Sequence, residues 1–150
     1  MKMKRLLFFA FNALAFSIPS AFSAELAHEL RGVWIAAAAT ESLCGKGDWE
    51  RNRTDEMISV GVNSIEYWES SCSVQSVKKL GDTTYELQSA CGGEGLRWRN
   101  KEIWHFQKVG SREELVALSL DRSDERDENG RRLRNPTKQQ VSVTIYLGCK

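Results

Sequence analysis

The chain has 150 residues, with 21 basic residues set against 20 acidic ones. That near-balance excludes the basic surplus of a nucleic-acid or general polyanion binder. Length and a 41% hydrophobic content suit one domain with its own core.

The N-terminus reads as an export signal. Lys2, Lys4 and Arg5 precede an apolar run from Leu6 to Phe16, and Ala21-Phe22-Ser23 then supplies small residues for a signal peptidase. The apolar run is too short to cross a bilayer. Residues 1–23 are therefore expected to be a signal peptide and residues 24–150 a single β domain, periplasmic or secreted. Loss of Lys2, Lys4 and Arg5 leaves 18 basic against 20 acidic residues, a charge of about −2. No second stretch has the length of a transmembrane helix, and no cysteine sits at the cleavage point to take a lipid anchor.

After the signal, Glu25 to Leu30 reads as a short helix, and apolar residues then recur mostly every second position. Strands are predicted for Gly32 to Ala37, around Ile58, Val60 and Val62, and over Ser64 to Val77. Others cover Thr83 to Cys91, a bent or bulged Leu96 to Val109, and the run holding Val116, Leu118 and Leu120. Ala36 to Ala39 continues the first strand or opens a helical turn. The C-terminal run puts Val141, Val143, Ile145, Leu147 and Cys149 on one face and Ser142, Thr144 and Tyr146 on the other. Gly45–Glu56 and Asp121–Asn135 are charged and read as solvated loops, the second turning at Glu128-Asn129-Gly130. Asn52-Arg53-Thr54 matches a glycosylation sequon. The whole is an all-β pattern: a small antiparallel up-and-down barrel or sandwich of seven to eight strands.

All four cysteines (Cys44, Cys72, Cys91 and Cys149) lie in the exported part, where two disulfides are the default. A hairpin centred on Gly81-Asp82 gives partner numbers summing to 163, which sets Cys72 against Cys91, Val74 against Ser89, Ser76 against Leu87 and Lys78 against Tyr85. A strict two-residue loop makes the cysteines a hydrogen-bonded pair, whereas a bulge or longer turn gives the closer spacing a disulfide prefers. Cys44 then pairs with Cys149, which joins the first strand region to the last. No Cys-x-x-Cys pair occurs, and His28 and His105 are the only histidines, so no metal site and no cofactor is expected.

Motifs of nucleophilic, metal-dependent or phosphate-handling catalysis are absent. Cys91-Gly92-Gly93-Glu94-Gly95 suits a bulge or wide turn, and Glu94 and His105 are the only nameable acid–base candidates. Period-two geometry turns His105 outward if Trp104 and Phe106 face the core. The five tryptophans are the stronger signal. Trp34 and Trp104 suit the core, whereas Trp98 between Arg97 and Arg99, and Trp49 in its charged loop, are candidate contact residues.

Gly32-Val33-Trp34 resembles the Gly-x-Trp signature of lipocalins, whose tryptophan plugs the closed end of an eight-stranded barrel. Signal, size, cysteines and absent catalytic motifs are also similar to small periplasmic β-barrels of Gram-negative bacteria. Those include the inhibitors of C-type lysozyme, although their Ser-Gly-x-x-Tyr loop is not found here. The expectation is a non-catalytic exported module that binds a protein or glycan of the cell envelope. The alternatives are a lipocalin-like carrier of a small apolar ligand and, third, a hydrolase using Glu94 and His105.

Overall fold

The computed structural model describes residues 24–39, 54–133 and 141–149. A 3-10 turn (His28–Leu30) is followed by strands β1 (Gly32–Ala36), β2 (Met57–Val60), β3 (Ser64–Glu66) and β4 (Ser70–Lys79). β5 (Thr84–Gly93), β6 (Leu96–Val109), β7 (Arg112–Arg126) and β8 (Ser142–Gly148) complete the chain. Each strand pairs antiparallel with the next, and β8 returns to β1 through Trp34–Gly148, Ile35–Leu147 and Ala36–Tyr146. The result is a closed eight-stranded up-and-down barrel with no free sheet edge. Among the described residues, no helix is long and apolar enough to cross a membrane.

The core is built from the inward residues of every strand except β8's valine face. Trp34, Ile58, Val60, Ile65, Val74, Leu87, Trp104, Phe106 and Leu115 are all buried in one cluster. The N-terminal segment caps one end of it. Leu26 and Leu30 are wholly buried, and the Leu26 amide donates to the Val62 carbonyl at 2.6 Å. Arg31 returns two hydrogen bonds to the Leu26 carbonyl, and the Tyr85 hydroxyl donates to Glu29. Trp34, the tryptophan of Gly32-Val33-Trp34, donates its indole N–H to the Leu30 carbonyl at 2.9 Å and meets Phe106 edge-on.

Several expectations are corrected. Ser64 to Val77 is two strands, because the chain reverses at Trp68-Glu69, where the Tyr67 amide bonds the Ser70 carbonyl. Tyr67-Trp68 has high β propensity and the reversal contains no glycine, proline or asparagine, so the sequence reads as continuous strand. Asp121 to Arg126 is not loop but the end of β7, held opposite Arg97 to Lys101. Only the turn beyond it matches, with Asp127 accepting from the Asn129 and Arg131 amides. Cys91 to Gly95 makes a tight turn rather than a wide one. Gly93 pairs with Leu96, and Glu94 and Gly95 both take positive φ (49° and 75°), the conformation of a two-residue primed turn. β8 forms as predicted, but its valine face points out: Val143 and Ile145 are exposed, while Tyr146 packs against the core. The first strand stops at Ala36, where the Ala39 amide closes a turn onto its carbonyl.

Cys72 and Cys91 are opposite each other and disulfide-bonded, with Cα atoms 4.0 Å apart. Nearer the turn, however, Ser76 faces Gln88 and Lys78 faces Glu86, one place from the strict two-residue register. Gln75 is the extra residue of a bulge, and Leu80 to Thr83 make a longer turn. Both changes restore the close pair spacing that suits a disulfide. Cys149 follows β8 and donates its amide to the Val33 carbonyl of β1, so its strand is adjacent to β1. Cys44 and the Cys44–Cys149 pairing lie outside the described residues, as do residues 1–23 with the expected signal, Trp49 and Asn52. Non-reducing peptide mapping should recover a Cys72–Cys91 peptide; a Cys72–Cys149 peptide would contradict the β4–β5 register.

Candidate functional site

Strand alternation decides what each face offers. On β5 the residues facing outward near the Glu94-Gly95 turn are Ala90 and Gly92, the smallest side chains available. They are flanked by Ser71 and Ser73 of β4 on one side and by Arg97 and Arg99 of β6 on the other. Two low residues between taller walls make a trough of about 380 Å³ on the outside of the barrel, completed by Asp124 and Arg126 from β7. It continues past Ser71 and Gly92 into a second hollow of about 430 Å³ lined by Glu66, Trp68 and Glu69. The Trp68-Glu69 reversal holds that indole at the rim, where it stays 48% exposed. Gly93 permits the close approach behind it, since a Cβ there would lie 2.4 Å from the Glu69 carbonyl.

The charge in the trough is lopsided. Arg126 grips Asp124 through Nε at 3.1 Å and Nη2 at 2.8 Å, and it also donates to the Gly130 carbonyl. The Arg126 hydrogen bond holds the Asp124 carboxyl below its ordinary value, helped by the charges of Arg132 and Arg99. One carboxylate is thus shared among several arginines. Arg97 and Arg99 are both exposed on this wall, and the Arg99 charge also acts on Asp124. Their side chains project outward two residues apart, roughly 7 Å along the strand, within reach of a single anionic group. Glu66 and Glu69 place acceptors around Trp68 at the other end.

A second polar cluster lies inside the barrel. Glu102 points inward between Leu87 and Ser119 and is 8% exposed. Burial pushes its carboxyl up to about 7, against a smaller pull from the Trp104 indole N–H. That N–H faces the carboxyl without reaching full hydrogen-bond geometry, and neither it nor Glu102 Oε2 has another partner among the described residues. Burial, and then the Glu102 charge, raise Tyr146 to about 12 and Tyr67 well above 10. Among the described residues, no three His, Cys, Asp or Glu side chains come together as metal ligands.

The sequence-predicted residues are separated by these rules. Arg97 and Arg99 belong to the trough, but Trp98 lies between them in a strand and so turns the other way. It pairs with Cys91, packs on the core and carries the Arg122 guanidinium 4.2 Å above its ring. Arg122 in turn pairs with the buried Glu125 at 2.6 Å. Arg97, Trp98 and Arg99 nonetheless all line the trough, with Trp98 partly buried against the core. Trp68, Ser71, Ser73, Asp124 and Arg126 were missed. His105 faces outward as period two requires, with Nδ1 2.9 Å from the Thr84 hydroxyl. Glu94 is exposed at the β5–β6 turn. Nine strand steps separate Leu96 from His105, roughly 30 Å, so Glu94 and His105 do not meet.

Comparison with protein-family profiles, with curated proteins and with solved structures yields no match to this chain. The class the fold defines is the closed eight-stranded antiparallel barrel with a capped end.

Proposed function

We propose that this is an exported, non-catalytic binding module that contacts a component of the cell envelope through the trough on β4, β5 and β6. The observation that carries the reading is the pair Arg97 and Arg99, both exposed and set beside a floor of Ala90 and Gly92, with Asp124 the carboxylate that shares their wall. A cationic wall over a low floor suits an anionic group, because guanidinium forks match carboxylates and phosphates and strengthen their hydrogen bonds. The wide separation of Glu94 and His105 supports a binding role over a hydrolytic one. Trp34, Trp104 and Phe106 occupy the barrel interior, which supports an external site over an apolar ligand carried within.

The test uses the exported protein immobilised and exposed to cell-envelope extract, with Arg97→Glu/Arg99→Glu as its partner. Both side chains are outward, so the variant should keep the wild-type melting temperature. The retained component should be lost by about tenfold or more, the equivalent of a single good charged contact. Equal retention by the two proteins would remove the trough from the binding surface.

A further inference from the structure

The geometry points to an acidic glycan as the ligand of the trough: a sugar ring lying on Trp68, and the anionic group of a neighbouring unit held by Arg97 and Arg99. This deepens the preceding reading and rests on it. Three features of the outer surface converge here. Trp68 is the only tryptophan among the described residues that is largely exposed, and it stands at the end of a hollow rather than on a convex face. A flat indole takes the apolar face of a sugar ring at little entropic cost, because its side chain has only two rotatable bonds. Glu69 beside it is an exposed acceptor, which sugar hydroxyls require as donors.

Ser71 and Gly92 line both hollows, so the tryptophan and the arginines stand at the two ends of adjoining depressions. The low floor keeps backbone and hydroxyl groups within reach along it. A simple acidic peptide would meet repulsion from Glu66 and Glu69 at one end. A neutral glycan would offer Arg97 and Arg99 no anion beyond the Asp124 carboxylate they already stand beside. A chain with a neutral sugar face and an anion a unit away satisfies both ends.

The experiment titrates the exported protein with four probes: trigalacturonate, a heparin tetrasaccharide, chitotriose as a neutral sugar, and hexaglutamate as an acidic non-sugar. Calorimetry reads binding in wild type, Trp68→Ala, Arg97→Gln and Ala90→Leu, and tryptophan fluorescence reads it in the proteins that keep Trp68. The last adds carbons to an exposed position and so fills the trough without disturbing the core. At least one acidic sugar should bind about tenfold or more tighter than chitotriose and hexaglutamate, and each variant should weaken it by a similar factor. Preference for trigalacturonate identifies a carboxylate as the anion and preference for heparin a sulfate. Hexaglutamate binding as tightly as the sugars, or sugar binding unchanged in Trp68→Ala, would overturn the glycan assignment and leave an acidic protein as the envelope partner. No binding of either acidic sugar would overturn it too, while the envelope-capture comparison decides separately whether the trough binds anything.

Discussion

Trp34→Ala is expected to produce the largest loss of stability in the molecule, about 4 kcal/mol. The indole is 2% exposed, fills the capped end of the barrel against Phe106 and satisfies the Leu30 carbonyl. Truncation removes the packing, opens a cavity beneath Leu26 and Leu30, and leaves a buried acceptor without its donor. The 3-10 turn should loosen with it, since Leu30 has lost its anchor. Denaturant unfolding measures the loss, and amide exchange at Leu30 and Arg31 measures the loosening. A cost below about 1 kcal/mol, the level of an ordinary surface change, would mean that Trp34 does not plug the barrel.

Glu102→Gln is expected to remove most of a pH dependence of stability. The carboxyl titrates near 4.5 in an ordinary setting and at about 7 in the fold. Between those values the folded protein keeps a proton that the unfolded chain releases. Stability therefore falls as pH rises through that window and levels off above it. The interval corresponds to about 3 kcal/mol. Glutamine has the same shape without the charge, so the variant should be more stable than wild type at pH 8 by up to that amount. Below pH 4.5 the two should converge. The opposite slopes expected from Glu29 and Asp124, both held below their ordinary values, are common to both proteins and cancel in the difference. A difference that stays constant from pH 4 to pH 8 would show that Glu102 does not titrate in this window.

The antiparallel all-β pattern was legible because alternation was strong where strands bury one face. Alternation does not separate a barrel from a sandwich, and closure shows only in the β1–β8 pairing. β6 was read to both its ends, but the bulges expected in it fall on its partner β7, which carries the extra residue at each register shift while β6 pairs with β5 unbroken. The Cys72–Cys91 pairing was legible because a turn signal and two cysteines at matching distances constrain each other. Where polar residues entered the strands, the reading faltered. The end of β7 carries Asp121, Arg122 and Asp124, and nothing in those side chains distinguishes a paired strand from a charged loop. On β8 the sequence offered an apolar face and a polar face, and the polar one went inward. Thr144 and Tyr146 lie opposite Ala117 and Leu115 there, while Val143 and Ile145 stack outside on Leu118 and Val116. An interior holding Glu102, Tyr67 and Tyr146 is not apolar throughout, so apolar alternation alone could not orient that strand.

The candidate site was half legible. Arg97, Trp98 and Arg99 were grouped from the sequence and all three line the trough, but the alternation of β6 sets Trp98 partly buried against the core while the arginines are exposed. Trp68 was hidden for a different reason: its turn contains no turn residue, and an aromatic pair in a strand-like run reads as core. Ser71, Ser73, Ala90 and Gly92 carry little chemistry individually. They become a floor and wall only when three strands lie side by side.

The central claim is that binding occurs on the outside of the barrel, across β4, β5 and β6, and not within it. Two-dimensional amide and indole NMR, recorded while the envelope component retained by the wild-type protein is added, tests this directly. Shifts are expected at Ser71, Ala90, Gly92, Arg97, Arg99 and the Trp68 indole, with the Trp34 and Trp104 indoles unmoved. Shifts concentrated at Trp34 and Trp104 with the trough unchanged would place the ligand inside the barrel and contradict it.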